Sequence, residues 1–148
     1  MSDTIDPRTM TGLEILSLIA ANPDTFKGIG ALLGMQVDEV SHGRAVFSVE
    51  TQAAFANPLG AVHGGICATL LDSAMGCAVH STLEAGVGYS TLELGINYIR
   101  SVPTDGGRLT ATGTTIHVGR TTATAEGRVV DEQGRLVAHG TTTCIIQR

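Results

Sequence analysis

Residues 65–82, GICATLLDSAMGCAVHST, form the one long helix-compatible run in the chain that no proline interrupts. The run is rich in small residues and apolar nearly all round, so the helix it predicts has to be covered by neighbours. The rest of the chain offers mainly strands as cover. Segments 88–101, 107–118, 121–131 and 135–146 are rich in Thr and Val and are separated by turns at 103–106, 119–120 and 132–134. Upstream, 35–41 and 44–51 read as a hairpin. Ala45, Phe47 and Val49 alternate there with Val46, Ser48 and Glu50, and His42-Gly43 supplies the turn. Leu13, Leu16, Leu18 and Ile19 predict a short N-terminal helix over 12–21, stopped by Asn22-Pro23. The glycines of KGIGALLG, residues 27–34, have the wrong spacing for a dinucleotide loop and follow no strand. One buried helix followed by consecutive antiparallel strands predicts an α+β fold, with the sheet curled around the helix.

A length of 148 residues suits a single domain over 1–148, with 1–26 as an N-terminal extension. Hydrophobic residues at 43% are enough for a real core. The net charge is −5 and Lys27 is the sole lysine, so no basic stripe exists to neutralise phosphates, and nucleic acid is excluded as a partner. No stretch approaches the ~20 apolar residues of a membrane span. The stretch MSDTIDPRTM is polar and acidic, unlike a secretory signal. Cys67, Cys77 and Cys144 lie in apolar settings outside any CxxC pair. Cys67 and Cys77 on one helix would stand ~15 Å apart, too far for a disulfide. Reduced, buried thiols and a cytoplasmic location are expected. His42, His80, His117 and His139 lack metal-ligand spacing, and no metal is expected.

The polar residues that call for chemistry lie in NPLGAVHGGICATLLDSA, residues 57–74. A carboxylate inside an apolar helix is costly unless paired, so Asp72 either anchors the helix through Thr69 or a sheet residue or does chemistry. Thr69, Asp72, Ser73, Gly76 and His80 follow helical spacing and make one polar stripe. Gly64 and Gly65 sit at the helix start, where free N–H groups and the positive end of the dipole point outward. Two bare glycines there either make a tight turn or let a ligand oxygen approach the backbone, the apparatus for an oxyanion. Asn57 and His63 nearby favour a site.

Together, Asn57, His63-Gly64-Gly65 and Asp72 resemble the signature of the hot-dog-fold acyl-CoA thioesterases of the phenylacetate-degradation (PaaI) and 4-hydroxybenzoyl-CoA type. The segment TLELGINYIR, residues 91–100, is similar to that family's strand after the helix, and the likeness runs from about residue 27 to the C-terminus. The resemblance implies a curved antiparallel sheet wrapped around one long central helix, and hydrolysis of an aryl- or medium-chain acyl-CoA with no cofactor beyond the CoA of the substrate. In that reading Gly64 is the oxyanion-side amide and Asp72 the catalytic carboxylate, as general base or nucleophile. Asn57 positions the water or thioester, His63 supports the loop, and Thr91 opens the next strand, with Ser90 as the off-by-one alternative. Gly65, Ser73, Gly76, Ser90, Arg100 and Arg120 are expected to bind substrate. Gly76 stands where some relatives have Thr, and Gly95 and Ser101-Val102-Pro103 replace the more usual Asn and Arg-Pro.

Two further functions remain compatible with these residues: a (de)hydratase using His63, and a non-catalytic acyl-CoA sensor in which Asp72 is expendable. No Gly-x-Ser-x-Gly occurs, so a serine α/β-hydrolase is excluded. Eight residues of helix from Gly64 to Asp72 span ~12 Å, whereas a nucleophile stands ~3–3.5 Å from the carbonyl it attacks. One chain cannot present both groups to one thioester. A homo-oligomer with shared sites, at least a dimer, is therefore expected, and the resemblance implies the same arrangement, often doubled into a dimer of dimers.

Overall fold

The computed structural model describes residues 5–25 and 27–148. The first four residues of the acidic N-terminal stretch, and Phe26 of the expected 1–26 extension, lie outside the described residues. Helix α1, Gly12–Ala21, starts where Thr11 and Glu14 close a reciprocal capping box: the Thr11 hydroxyl accepts from the Glu14 N–H, and the Glu14 carboxylate accepts from the Thr11 N–H. The helix ends at Asn22, before Pro23, as its pattern predicts. A five-residue helix α2, Ile29–Leu33, fills the KGIGALLG segment and is closed by Gly34 at φ +76°. It is too short to leave a helical period in the sequence.

Strands β1 (Gln36–Ser41) and β2 (Arg44–Glu50) form the expected hairpin around Gly43. After helix α3, Gly64–His80, come β3 (Gly88–Tyr98), β4 (Arg108–Val118), β5 (Thr122–Val130) and β6 (Leu136–Gln147). All pairings are antiparallel and the strand order is β1-β2-β4-β5-β6-β3. Five of the strands, β2 to β6, pack on α3, while α1 covers β1. This is the hot-dog arrangement, a sheet curled around a central helix.

The curl depends on small residues. Gly113, Gly127 and Gly140 face one another across β4, β5 and β6. A methyl group on Gly113 would overlap the Ala74 carbonyl of α3, so helix backbone rests directly on strand backbone there. Around this contact Leu70, Leu71, Ala74, Met75, Ala78 and Val79 of α3 are fully buried.

Three sequence expectations change. Helix α3 is not covered all round: Gly65 and Asp72 are exposed, and Thr69, Ser73, Cys77 and His80 are half-buried. The sheet wraps one side of the helix, and no element among the described residues covers the other. The helix also stops at His80 rather than 82. The Ser81 and Thr82 hydroxyls bond back to the Ala78 and Val79 carbonyls, and Ser81 accepts from the Gly43 N–H. In β2 the alternation of inward and outward residues does not produce one wet face, because Val46 and Ser48 are buried as well as Ala45, Phe47 and Val49. No helix among the described residues is long and apolar enough to cross a membrane.

Candidate active site

The site forms at both ends of a seam between α3 and the edge strand β3. At the helix start, Asn57 folds the preceding loop. Its Oδ1 accepts from the Leu59 and Ala61 N–H groups at 2.9 and 3.1 Å. The oxygen that was expected to orient water or thioester is thus committed to the turn, and only Nδ2 is left to face a substrate. His63 is the N-cap of α3, and its Nδ1 accepts from the Gly65 N–H at 2.9 Å. Accepting there puts the ring proton on Nε2. Gly65 is therefore capped from within the chain, while the Gly64 N–H has no acceptor among the described residues. Helix geometry aims that open N–H out of the helix end, as an oxyanion donor requires.

Over Gly64 lies Tyr98, whose hydroxyl donates to the Gly64 carbonyl at 2.6 Å. A methyl group at Gly64 would come within 3.2 Å of the phenol ring. Burial, and then the neighbouring Cys67, push the Tyr98 phenol above its ordinary range, so it remains a donor. Gly64, Cys67, Tyr98, Arg100 and Val102 line a cavity of about 290 Å³. Arg100 is therefore brought to the Gly64 end. Arg120 is not. It lies in the β4–β5 turn beside the chain terminus, where its carbonyl accepts from the Arg148 guanidinium at 3.3 Å. This is the His80 end of α3, where Gly43 links Ser81 to Thr115.

Two turns into α3, Asp72 Oδ1 accepts from the Thr91 hydroxyl at 2.9 Å. The pleat of β3 decides between the two candidate hydroxyls. Tyr89 and Thr91 point toward α3, and Ser90, paired with Ile145, points to the outer face away from the carboxylate. Asp72 is exposed, not buried as its apolar neighbours suggest, because it lies on the uncovered face of the helix. Ser73 is half-buried beside it.

Gly76, one turn on, does not open into the site. Tyr89 packs on it so closely that a methyl group there would come within 2.9 Å of the phenol oxygen. The Tyr89 hydroxyl bonds the Cys77 thiol, and burial, then the charges of Cys77 and Asp72, push its pKa far upward. Burial likewise lifts the Cys77 thiol to about 12 and Cys67 to about 11, so neither is a ready nucleophile. All three cysteines are free. Among the described residues no group of three or more His, Cys, Asp or Glu could hold a metal ion.

Sequence reasoning missed both tyrosines. They are the only two in the chain, both on inward positions of β3, and each sits over a glycine of α3. Tyr89 lies two residues from Thr91, but Tyr98 lies seven away and shares that face only because the strand register shifts between Thr91 and Glu93.

Comparisons with known proteins bear on the family and the fold. The family model described as Thioesterase superfamily matches residues 59–138, which include Gly64, Asp72 and Thr91. The chain is 26% identical over 121 residues to a 1,4-dihydroxy-2-naphthoyl-CoA hydrolase of Listeria monocytogenes, covering 82% of this chain and 97% of that one. It is 35% identical over 108 residues, 70% of each chain, to a Halobacterium salinarum protein that carries an esterase name. Among solved structures, a thioesterase family protein of Silicibacter pomeroyi superposes with a TM-score of 0.79 at 25% identity, over 89% of this chain and 98% of its own. The Escherichia coli PaaI protein shares the fold, with a TM-score of 0.77 at 24% identity over 90% and 94% of the two chains. With an open helix-start amide and a hydroxyl-anchored aspartate on the uncovered face of a sheet-wrapped helix, the chain belongs to the thioesterase superfamily, a family of thioester hydrolases.

Proposed function

We propose that this chain hydrolyses an acyl-CoA, with an aryl or medium-chain acyl group, to the free acid and CoA in sites shared between two copies. The observation that carries the proposal is the Asp72–Thr91 hydrogen bond on the open face of α3, two turns beyond an N–H that nothing in the described chain accepts. A thioester carbonyl has weak resonance stabilisation, so one polarising donor and one oxygen nucleophile are enough. The Gly64 N–H of one copy holds the carbonyl oxygen as it gains charge. Asp72 of the other supplies the attack, either on the carbonyl carbon itself or through a water whose proton it takes. Collapse of the tetrahedral intermediate breaks the C–S bond and CoA leaves as its thiolate. On the water route it takes the proton that Asp72 removed. On the direct route water hydrolyses the acyl–Asp72 anhydride, which releases the acid, restores the carboxylate and supplies the proton. Thr91 occupies Oδ1 and leaves Oδ2 for the reaction.

Two antiparallel helices would set the Gly64 end of one copy beside Asp72 of the other. The open face of α3 and the β3 edge, with exposed Leu92 and Tyr98, are surfaces suited to that contact. The same packing would bring the Arg120 end of one copy toward Arg100 of the other, so both could face the CoA phosphates. The hydratase reading loses its base, since His63 Nδ1 is engaged in capping α3.

A panel of aryl- and fatty acyl-CoAs assayed with wild type, Asp72→Asn and Asp72→Ala tests the proposal. Both variants are expected to lose kcat by orders of magnitude while still binding the CoA ester. Near-normal kcat in a folded Asp72→Ala protein would contradict it and favour a sensor.

A further inference from the structure

The seam between α3 and β3 continues past the site. Along the helix Asp72, Gly76 and His80 follow at one-turn intervals, and across from them β3 presents Thr91 and then Tyr89. Thr91 holds the carboxylate. Tyr89 fills the next position, its ring against bare Gly76 and tilted 46° to the His80 ring at a centroid distance of 5.4 Å. Behind Tyr89 the seam opens again into a cavity of about 300 Å³ lined by Pro7, Ile15, His80, Gly86 and Val87. That volume is at the lower end of what holds a small ligand. One aromatic side chain therefore separates the aspartate from a partly open, largely apolar space that the proposed reaction does not use.

We infer that Tyr89, seated on Gly76, is the specificity-determining wall of the acyl pocket. It restricts the enzyme to compact acyl groups, and its removal joins the pocket to the cavity behind it. The inference rests on the acyl-CoA hydrolase reading above. A thioester carbonyl within reach of Asp72 has two substituents. The CoA sulfur runs outward across the open face of α3, toward Gly64 and Arg100 of the other copy, and the acyl group turns inward, along the seam toward Gly76. A short acyl group needs little of the seam, whereas a dodecanoyl group has to pass the phenol. Glycine at 76 is part of the device, since a methyl there would come within 2.9 Å of the phenol oxygen and displace the ring.

The test compares kcat/KM for benzoyl-, hexanoyl- and dodecanoyl-CoA in wild type, Tyr89→Phe, Tyr89→Val and Tyr89→Leu, with thermal melts to show folding. A parallel arm measures calorimetric affinity for the non-hydrolysable thioethers S-hexyl-CoA and S-dodecyl-CoA. Wild type and Tyr89→Phe are expected to favour the short chain by tenfold or more. Tyr89→Val and Tyr89→Leu should raise the dodecyl-to-hexyl ratio at least tenfold in both arms. Adding Val87→Phe, which places a ring in the cavity that Val87 lines, should reverse that gain. General loosening of the fold would not be reversed in this way. A wild type that already prefers the long chain, or an unchanged ratio in the folded Val and Leu variants, overturns the inference. Thioether affinities that follow the expected ratios while no protein hydrolyses any thioester would uphold the wall and refute the hydrolase reading.

Discussion

Ser90 and Thr91 are adjacent hydroxyl residues that only the pleat of β3 separates, and only Thr91 reaches Asp72. A hydrogen bond to a charged group contributes about 1.5–3 kcal/mol net, and solvent at this exposed face favours the lower end. Thr91→Val keeps the shape and removes the donor, so kcat should fall about tenfold with KM little changed. Ser90→Ala should leave both unchanged. Steady-state kinetics on the two variants check this, and equal losses would mean that the hydroxyl does not act through the carboxylate. Asp72 itself was legible in the sequence, but on a premise the structure reverses. It attracts attention as a charge in an apolar helix, yet it is exposed on a face the chain leaves bare. Asn57 was legible as a site residue and not in its role, because an Asx turn depends on loop geometry that spacing alone does not reveal. Tyr89 and Tyr98 were illegible for a different reason. In strand patterning an inward tyrosine reads as core, and only the glycine opposite each ring distinguishes it.

At the scale of elements, the decisive contact is α3 against the glycine row of β4, β5 and β6. The Ala74 carbonyl occupies the place of a Gly113 side chain, and backbone on both sides cannot yield as a flexible side chain does. Gly113→Ala should therefore cost about 3 kcal/mol, read as a lowered midpoint in denaturant unfolding. Gly88→Ala is the control: its nearest atom is the end of the Gln147 side chain at 3.7 Å, an ordinary contact, so it should shift stability by no more than about 0.5 kcal/mol. Similar effects at the two positions would mean that the close approach does not shape the sheet. Most elements could be read from the chain because their signals are local. The apolar spacing of Leu13, Leu16, Leu18 and Ile19, the Asn22-Pro23 stop, the turn at Gly43 and the Thr- and Val-rich strands all agree with the structure. The in-register glycines could not be read, since pairing β4 with β5 and β6 is a long-range fact. Nor could the burial of Val46 and Ser48, for period-two patterning assumes one wet face.

For the whole molecule, the open features lie along one side: the bare stripe of α3 with Asp72, and the edge strand β3 with Leu92 and Tyr98 exposed. The groups needed for one reaction are split between the two ends of that side. Gly64 and Arg100 share a cavity at one end, and Asp72 lies ~12 Å along the helix, with Arg120 farther on at the opposite end of the sheet. If two copies complete each other's site, exchanging subunits between two differently inactivated variants restores activity. Asp72→Ala and Gly64→Pro proteins, the latter lacking the N–H, should each be inactive as purified. Mixed dimers would carry one site with both native groups and one with neither. With exchange verified by differently tagged chains, acyl-CoA hydrolysis should return, up to about half the wild-type rate per mixed dimer. Proven exchange with no recovered activity would contradict the shared site.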